Sequence, residues 1–163
     1  MLLAAFAAFA IAQQASGPVE TQLVANSVAI VEGKESLRPA AAVKPGETIE
    51  YRATYTNRTK VAVRNLEATL PIPAGTELLP ASVNPAAAKA SLDGSNFDAM
   101  PLKRVVKKDG RDAEEIVPYS EYRYLRWYPG ELPGEKSLVF SARVKVSEAA
   151  PGLPNAPPAG KGK

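Results

Sequence analysis

Apolar and polar residues alternate one by one along several stretches of the chain. Ile49, Tyr51, Ala53 and Tyr55 interleave with Glu50, Arg52, Thr54 and Thr56, a period of two that puts the apolar set on one face of a β-strand. Pro45-Gly46 before it is a turn signal, and Asn57 to Lys60 is a polar connector. Val61 and Val63 start a new alternation that Leu66, Ala68 and Leu70 continue in the opposite phase. A slip of phase near Asn65 predicts one inserted residue, a β-bulge. Further on, Arg123, Leu125 and Trp127 share one face, and Tyr122, Tyr124, Arg126 and Tyr128 share the other. The last strand is the cleanest: Leu138, Phe140, Ala142, Val144 and Val146 point inward, with Ser137, Ser141, Arg143 and Lys145 outward.

Between these stretches the pattern is weaker. Val19 to Val31 reads as a strand with a kink at Asn26-Ser27, followed by a polar turn from Gly33 to Pro39 and a brief return to the sheet over Ala40 to Val43. Pro71 to Gly75 ends the central pair, since neither proline donates to a ladder. Thr76 to Leu79 reads as a short strand, and Ala88, Ala90 and Leu92 as another. Asp93-Gly94 and Asp109-Gly110 are type I′ hairpin signals, the second flanked by Leu102 to Val106 and Glu115 to Val117. Pro129 to Glu135 reads as a Pro/Gly turn. Many short strands and no long helical period predict an all-β antiparallel β-sandwich of about seven to nine strands over residues 19–147. Its predicted core is Ile49, Tyr51, Tyr55, Leu66, Leu70, Leu125, Trp127, Leu138, Phe140 and Val144.

Composition then narrows the chemistry. The 163 residues include no cysteine and no histidine. That removes disulfides, thiolate and Ser-His-Asp catalysis, and the common zinc sites. The net charge of +3 is modest, and the basic run Lys103, Arg104, Lys107, Lys108 lies beside Asp109, Asp112, Glu114 and Glu115. This reads as a solvated hairpin, with no nucleic-acid partner expected. Residues 1–12, MLLAAFAAFAIA, have the length and apolarity of a secretory signal, with Ala10-Ile11-Ala12 fitting small-x-small cleavage before Gln13. Residues 13–18 read as a flexible leader, and 148–163 as a disordered Pro/Gly/Ala tail. The expected address is the periplasm or the cell surface, with no integral membrane anchor and a monomer favoured. Val19–Val31, apolar on both sides, is a candidate for strand-edge association, the alternative being pairing within its own sheet.

The segment VKPGETIEYRATYTNRTKVAVRNLEATLPIPAGTELLPASV resembles the opening of the DUF11-type conserved repeat domain of bacterial and archaeal surface proteins. The shared features are a Pro-Gly turn, a Tyr-bearing strand leading to Thr-Asn, a second strand, and Leu-Pro-x-Pro-x-Gly. SLDGSNF and YLRWYPGELPGEKSLVFSARVKV resemble its later half. The resemblance covers about two-thirds of the chain and is weakest over Leu102 to Pro118. It implies an immunoglobulin-like sandwich in an exported protein and carries over no catalytic residue. The chain holds one copy, where the family usually has tandem arrays.

Five groups are candidate sites. Tyr122, Tyr124, Arg126 and Tyr128, with Arg143 and Lys145, form a possible binding face, since aromatic residues and arginine are enriched at interfaces. The plainer readings are strand preference for tyrosine and a tyrosine corner at the strand start. Asp93 to Asp98 offers oxygen ligands of the kind a hard cation takes, or an ordinary turn. Asn57-Arg58-Thr59 is formally a glycosylation acceptor or simply loop chemistry. The carboxylate pairs Glu114/Glu115 and Asp109/Asp112 sit in polar segments with nothing to raise a pKa. Lys136-Ser137 falls on an outward strand edge. Neither an enzyme nor a cofactor is expected. Two readings of function stay open: an envelope interaction module contacting other envelope or surface proteins, or a module binding glycan or another extracellular ligand through the Tyr/Arg face.

Overall fold

Thr48–Asn57 (β4) and Ser137–Val146 (β12), the two stretches of cleanest alternation, pair antiparallel from Thr48–Lys145 to Thr56–Ser137. The computed structural model describes residues 14–15, 17–40 and 43–148. Residues 1–13, which include the expected signal, Ala41 and Ala42 of the return at Ala40–Val43, and the tail beyond Glu148 lie outside the described residues. In chain order the other strands are β1 (Gln14–Ala15), β2 (Val19–Val31), β3 (Lys34–Pro39), β5 (Val63–Pro71), β6 (Thr76–Asn84) and β7 (Lys89–Ser91). They continue with β8 (Asp98–Ala99), β9 (Lys103–Lys108), β10 (Arg111–Ile116) and, after a 3-10 turn at Tyr119–Glu121, β11 (Tyr124–Leu132).

The strands form an immunoglobulin-like antiparallel sandwich. One sheet, A, runs β1-β2-β4-β12-β6 with β3 also on β2; the other, B, runs β5-β11-β7-β8; among the described residues β9 and β10 pair only with each other. The twelve described strands exceed the expected seven to nine. The excess is the two-residue β1 and β8 and the β9–β10 ribbon, which stands apart from both sheets.

Eight of the ten expected core residues are buried; Leu66 and Leu138 are half-buried at its margin. Trp127 packs on Phe140 with ring centroids 5.0 Å apart, and Phe140 meets Tyr55 edge-on at 5.8 Å. Burying side chains of this size contributes roughly 1.5–3 kcal/mol each. Leu78, Val83, Leu102, Val117, Tyr122 and Leu132 join the core from segments of weak periodicity.

The bulge at Asn65 is present. Pairing steps from Gly130–Leu66 to Glu131–Arg64, skipping Asn65, whose φ is +56°. A second bulge opposes it, because Trp127–Ala68 is followed by Gly130–Leu66. Pro129 falls in that gap, where no ladder donor is needed, so β11 runs on to Leu132 through what the sequence marks as a turn. Asp109-Gly110 closes β9–β10 with both residues at positive φ, as type I′ requires.

Three further expectations change. Gly33 to Pro39 is not a turn: Glu32-Gly33, at φ +52° and +76°, makes a two-residue turn and Lys34–Pro39 is a strand. As an edge strand, mostly exposed on both faces, β3 has no apolar alternation to reveal it. Asp93-Gly94 does not close a type I′ hairpin, since only Gly94 has positive φ and residues 92–97 separate β7 from β8. The leader is not free throughout, because Gln14–Ala15 pairs with β2. Val19–Val31 pairs within its own sheet, as the second of its two readings had it, with β4 from Val19–Asn57 to Val28–Thr48.

Candidate functional site

The six-residue face read from the sequence does not exist as one surface. β11 lies in sheet B and β12 in sheet A, and the turn at Pro133–Lys136 carries the chain across the sandwich. Outward residues of the two strands therefore face opposite sides of the molecule. Arg143 and Lys145 stand on the outer side of A. Arg143 is already held there: Nη1 and Nη2 donate to Glu35 at 2.8 and 2.9 Å, and Nε donates to Glu50 at 3.1 Å. The Arg143 hydrogen bonds hold the Glu35 carboxyl below its usual range, and Glu35 in turn raises the Arg143 guanidinium further. Lys145 is exposed, opposite Thr48 and Glu77.

Tyr122 also leaves the face. It precedes β11, is fully buried, and its hydroxyl accepts the Leu102 N–H at 2.6 Å. Burial pushes its phenol pKa up. This is the anchoring role of a tyrosine corner, here securing the base of the β9–β10 ribbon.

Tyr124, Arg126 and Tyr128 do share the outer side of B. Arg126 sits over the Phe97 ring, its guanidinium carbon 3.8 Å from the centroid, while Nε donates to Thr69 Oγ1 at 3.0 Å and Nη1 pairs with Glu67 at 3.1 Å. Lys89 places its ammonium 5.7 Å from the Tyr128 ring. The Tyr124 ring covers Gly94 closely enough that a Cβ there would sit 3.0 Å from Cε2. The surface is thus a ladder of alternating aromatic and cationic groups. Phe97 and Lys89 belong to it and were not singled out in the sequence. Lys89 was findable, being the polar residue between Ala88 and Ala90; Phe97 lies in an aperiodic loop and gives no signal.

Tyr124 also borders a groove of about 290 Å³ between the sheets. Among the described residues sheet B ends at β5 and leaves β2 uncovered, so the inward residues Leu23 and Ala25 are only half-buried. With Tyr51 they line the groove from sheet A; Pro71, Ile72, Pro73, Leu92, Asp93, Arg123 and Tyr124, at neighbouring strand ends of sheet B, line the rest. Arg123 Nη1 donates to the Ser120 and Tyr122 carbonyls at 2.8 and 2.7 Å. Asp93 is turned into its own loop, its Oδ1 accepting from Ser91 Oγ and from the Ser95 and Asn96 N–H groups, and its Oδ2 from Asn96 Nδ2. The Asn96 and Ser95 N–H groups chiefly hold its carboxyl well below the ordinary range. The loop that offered cation ligands is therefore an Asx-type turn.

The remaining candidates stay apart from the groove and the ladder. Asn57 is buried, and its Nδ2 is occupied by the Val61, Leu132 and Pro133 carbonyls, so it does not present a free acceptor amide. In the β9–β10 ribbon, Lys103 pairs with Glu114, Lys107 with Asp112, and Arg104 with Glu115 and Glu121. Ser137 Oγ shares a hydrogen bond of 2.8 Å with Thr56 Oγ1. Comparison of the chain with protein-family models, with curated proteins and with solved structures finds no match.

Proposed function

We propose that the protein is an exported, non-enzymatic interaction module of the bacterial cell envelope, acting in the periplasm or at the cell surface on other envelope or surface proteins. The observation that carries this reading is where the exposed apolar side chains sit. Ile30, 68% exposed, and Leu37 are diagonal neighbours on the β2–β3 ribbon. Val105, 68% exposed, and Ile116, 59% exposed, are diagonal neighbours on the β9–β10 ribbon. Apolar pairs presented on projecting ribbons are suited to contact with another protein surface. The resemblance to the DUF11-type domain and the apolar first residues support the export half of the proposal.

A second reading is favoured by one feature, the stacking of Arg126 on Phe97 between Tyr124 and Tyr128. Such a ladder suits a glycan or another extracellular ligand with apolar faces. The discriminating experiment is capture from the host's envelope fraction with three baits: the wild type, Ile30→Lys/Leu37→Lys, and Tyr124→Ala/Arg126→Ala. An interaction module loses its partner with the ribbon variant and keeps it with the face variant; a ligand binder does the reverse. N-terminal sequencing of protein from the native host tests export, with Gln13 as the expected first residue and an intact Met1 refuting it.

A further inference from the structure

We infer that the groove beneath Tyr124 binds a small amphipathic monocarboxylate, its acid group on Arg123 and its apolar body between Leu23, Tyr51, Ile72 and Leu92. The inference stands apart from the interaction reading and uses neither of its exposed apolar pairs.

The argument begins with the arginines. Among the described residues four are half-buried: Arg104, Arg123, Arg126 and Arg143. Three are neutralised by carboxylates, Arg104 by Glu115 and Glu121, Arg126 by Glu67, and Arg143 by Glu35 and Glu50. Arg123 alone of the four has no acidic partner within 4.0 Å; only Nη1 is engaged, by two carbonyls. Nε and Nη2 are left as donors in the planar arrangement that carboxylates meet edge-on. The neighbouring acid, Asp93, does not compete for them, because its oxygens accept four hydrogen bonds from its own loop.

The groove supplies the second half of the recognition. Its floor and walls are mostly hydrocarbon: Leu23, Ala25, Ile72, Leu92, two prolines and two tyrosine rings. Its volume of about 290 Å³ is just below the span of typical small-ligand sites, roughly 300 to 1,000 Å³. That size admits one ring or a short alkyl chain. A cationic fork at the rim of such a slot is complementary to an anion with an apolar tail. A neutral apolar molecule would leave the guanidinium unpaired, and a cation would be repelled by it.

The test uses nitrogen-15-labelled protein titrated with 3-phenylpropanoate and, separately, with the uncharged 3-phenylpropanamide. The acid is expected to shift the amide resonances of Leu23, Ile72, Leu92 and Tyr124 in a saturable manner. The amide should bind about tenfold more weakly or worse, the usual loss when a charge-assisted hydrogen bond is replaced. Arg123→Gln should reduce the preference for the acid. Because that change also removes two bonds to carbonyls, Leu92→Asp is the second variant: Leu92 is already exposed, and a carboxylate there should abolish binding with the fold intact. Equal binding of acid and amide, no shift at the groove residues, or undiminished binding by Leu92→Asp would each overturn the inference.

Discussion

The amide of Asn57 joins the two sheets at one end of the sandwich. It ends β4 in sheet A, and its Nδ2 reaches the carbonyls of Val61, just before β5, and of Leu132 and Pro133 at the close of β11, while Oδ1 accepts the Thr59 N–H and hydroxyl. The same junction demands Gly134, since a Cβ there would collide with the Lys60 carbonyl. Asn57→Ala strips partners from several backbone groups at once, and roughly 2–4 kcal/mol of stability should be lost, read as a lower urea midpoint. Trp127 carries a comparable load by packing: it is buried on Phe140 and donates Nε1–H to the Pro85 carbonyl at 2.6 Å. Trp127→Ala should cost about 3–5 kcal/mol in the same measurement. The two residues differ in legibility. Trp127 is inward by alternation, so its burial can be read from its neighbours. Asn57 reads as loop because polar residues are normally outside; only its saturated hydrogen bonding permits burial, and its partners lie up to 76 positions away.

At the scale of elements, the open edges explain several oddities. β5 is an outer strand of sheet B, and the Tyr55 hydroxyl, arriving from sheet A, donates to the Thr69 carbonyl at 3.1 Å and accepts the Thr69 N–H at 2.9 Å. One core side chain thereby occupies backbone groups that another strand could use. The bulge at Asn65 and Pro71 interrupt the rest of that edge. Tyr55→Phe keeps the ring packing and removes only the hydroxyl. It should destabilise by about 1–3 kcal/mol and hasten aggregation, measured by light scattering at moderate temperature; an unchanged rate would mean the edge is closed without Tyr55. The interior strands β4 and β12 were legible because one face is dry and the other wet. β3, β9 and β10 were blurred or mistaken because both faces meet water, so no period is imposed on them. The groove was invisible for a related reason: Val19–Val31 is apolar on both sides, so its pattern neither singles out Leu23 as inward nor says that sheet B stops short of it.

At the scale of the molecule, alternation names the inward side of each strand but not the sheet that holds it, which is why residues of β11 and β12 were wrongly joined into one face. The ionisable groups predict a stability profile for the whole fold. Hydrogen bonds hold Asp93, Glu35 and Glu115 below their usual carboxyl values, while burial raises Tyr51, Tyr55 and Tyr122 above 10.0. Depressed carboxyls stabilise above their unfolded pKa and lose that contribution as pH falls through the folded one; raised phenols stabilise below about 10 and lose it as pH climbs through the folded value. With no histidine in the chain, urea midpoints should be flat from about pH 5 to 9 and fall on both sides; a step near pH 6.5 would contradict this. The wholeness of the sandwich gives the last prediction. β2 contributes ten paired positions to β4, and its Leu23 and Ala25 pack against the core beside Tyr51. A chain begun at Gly33 would expose the edge of β4 along its length and uncover Tyr51, without the sheet's own strand to replace the loss. Protein beginning at Gln13 should therefore be monomeric in solution with a strand-rich circular dichroism spectrum, and the Gly33 version unfolded or aggregated. A Gly33 version that stays monomeric and cooperatively folded would show that β2 is an accessory ribbon and not a member of the sandwich.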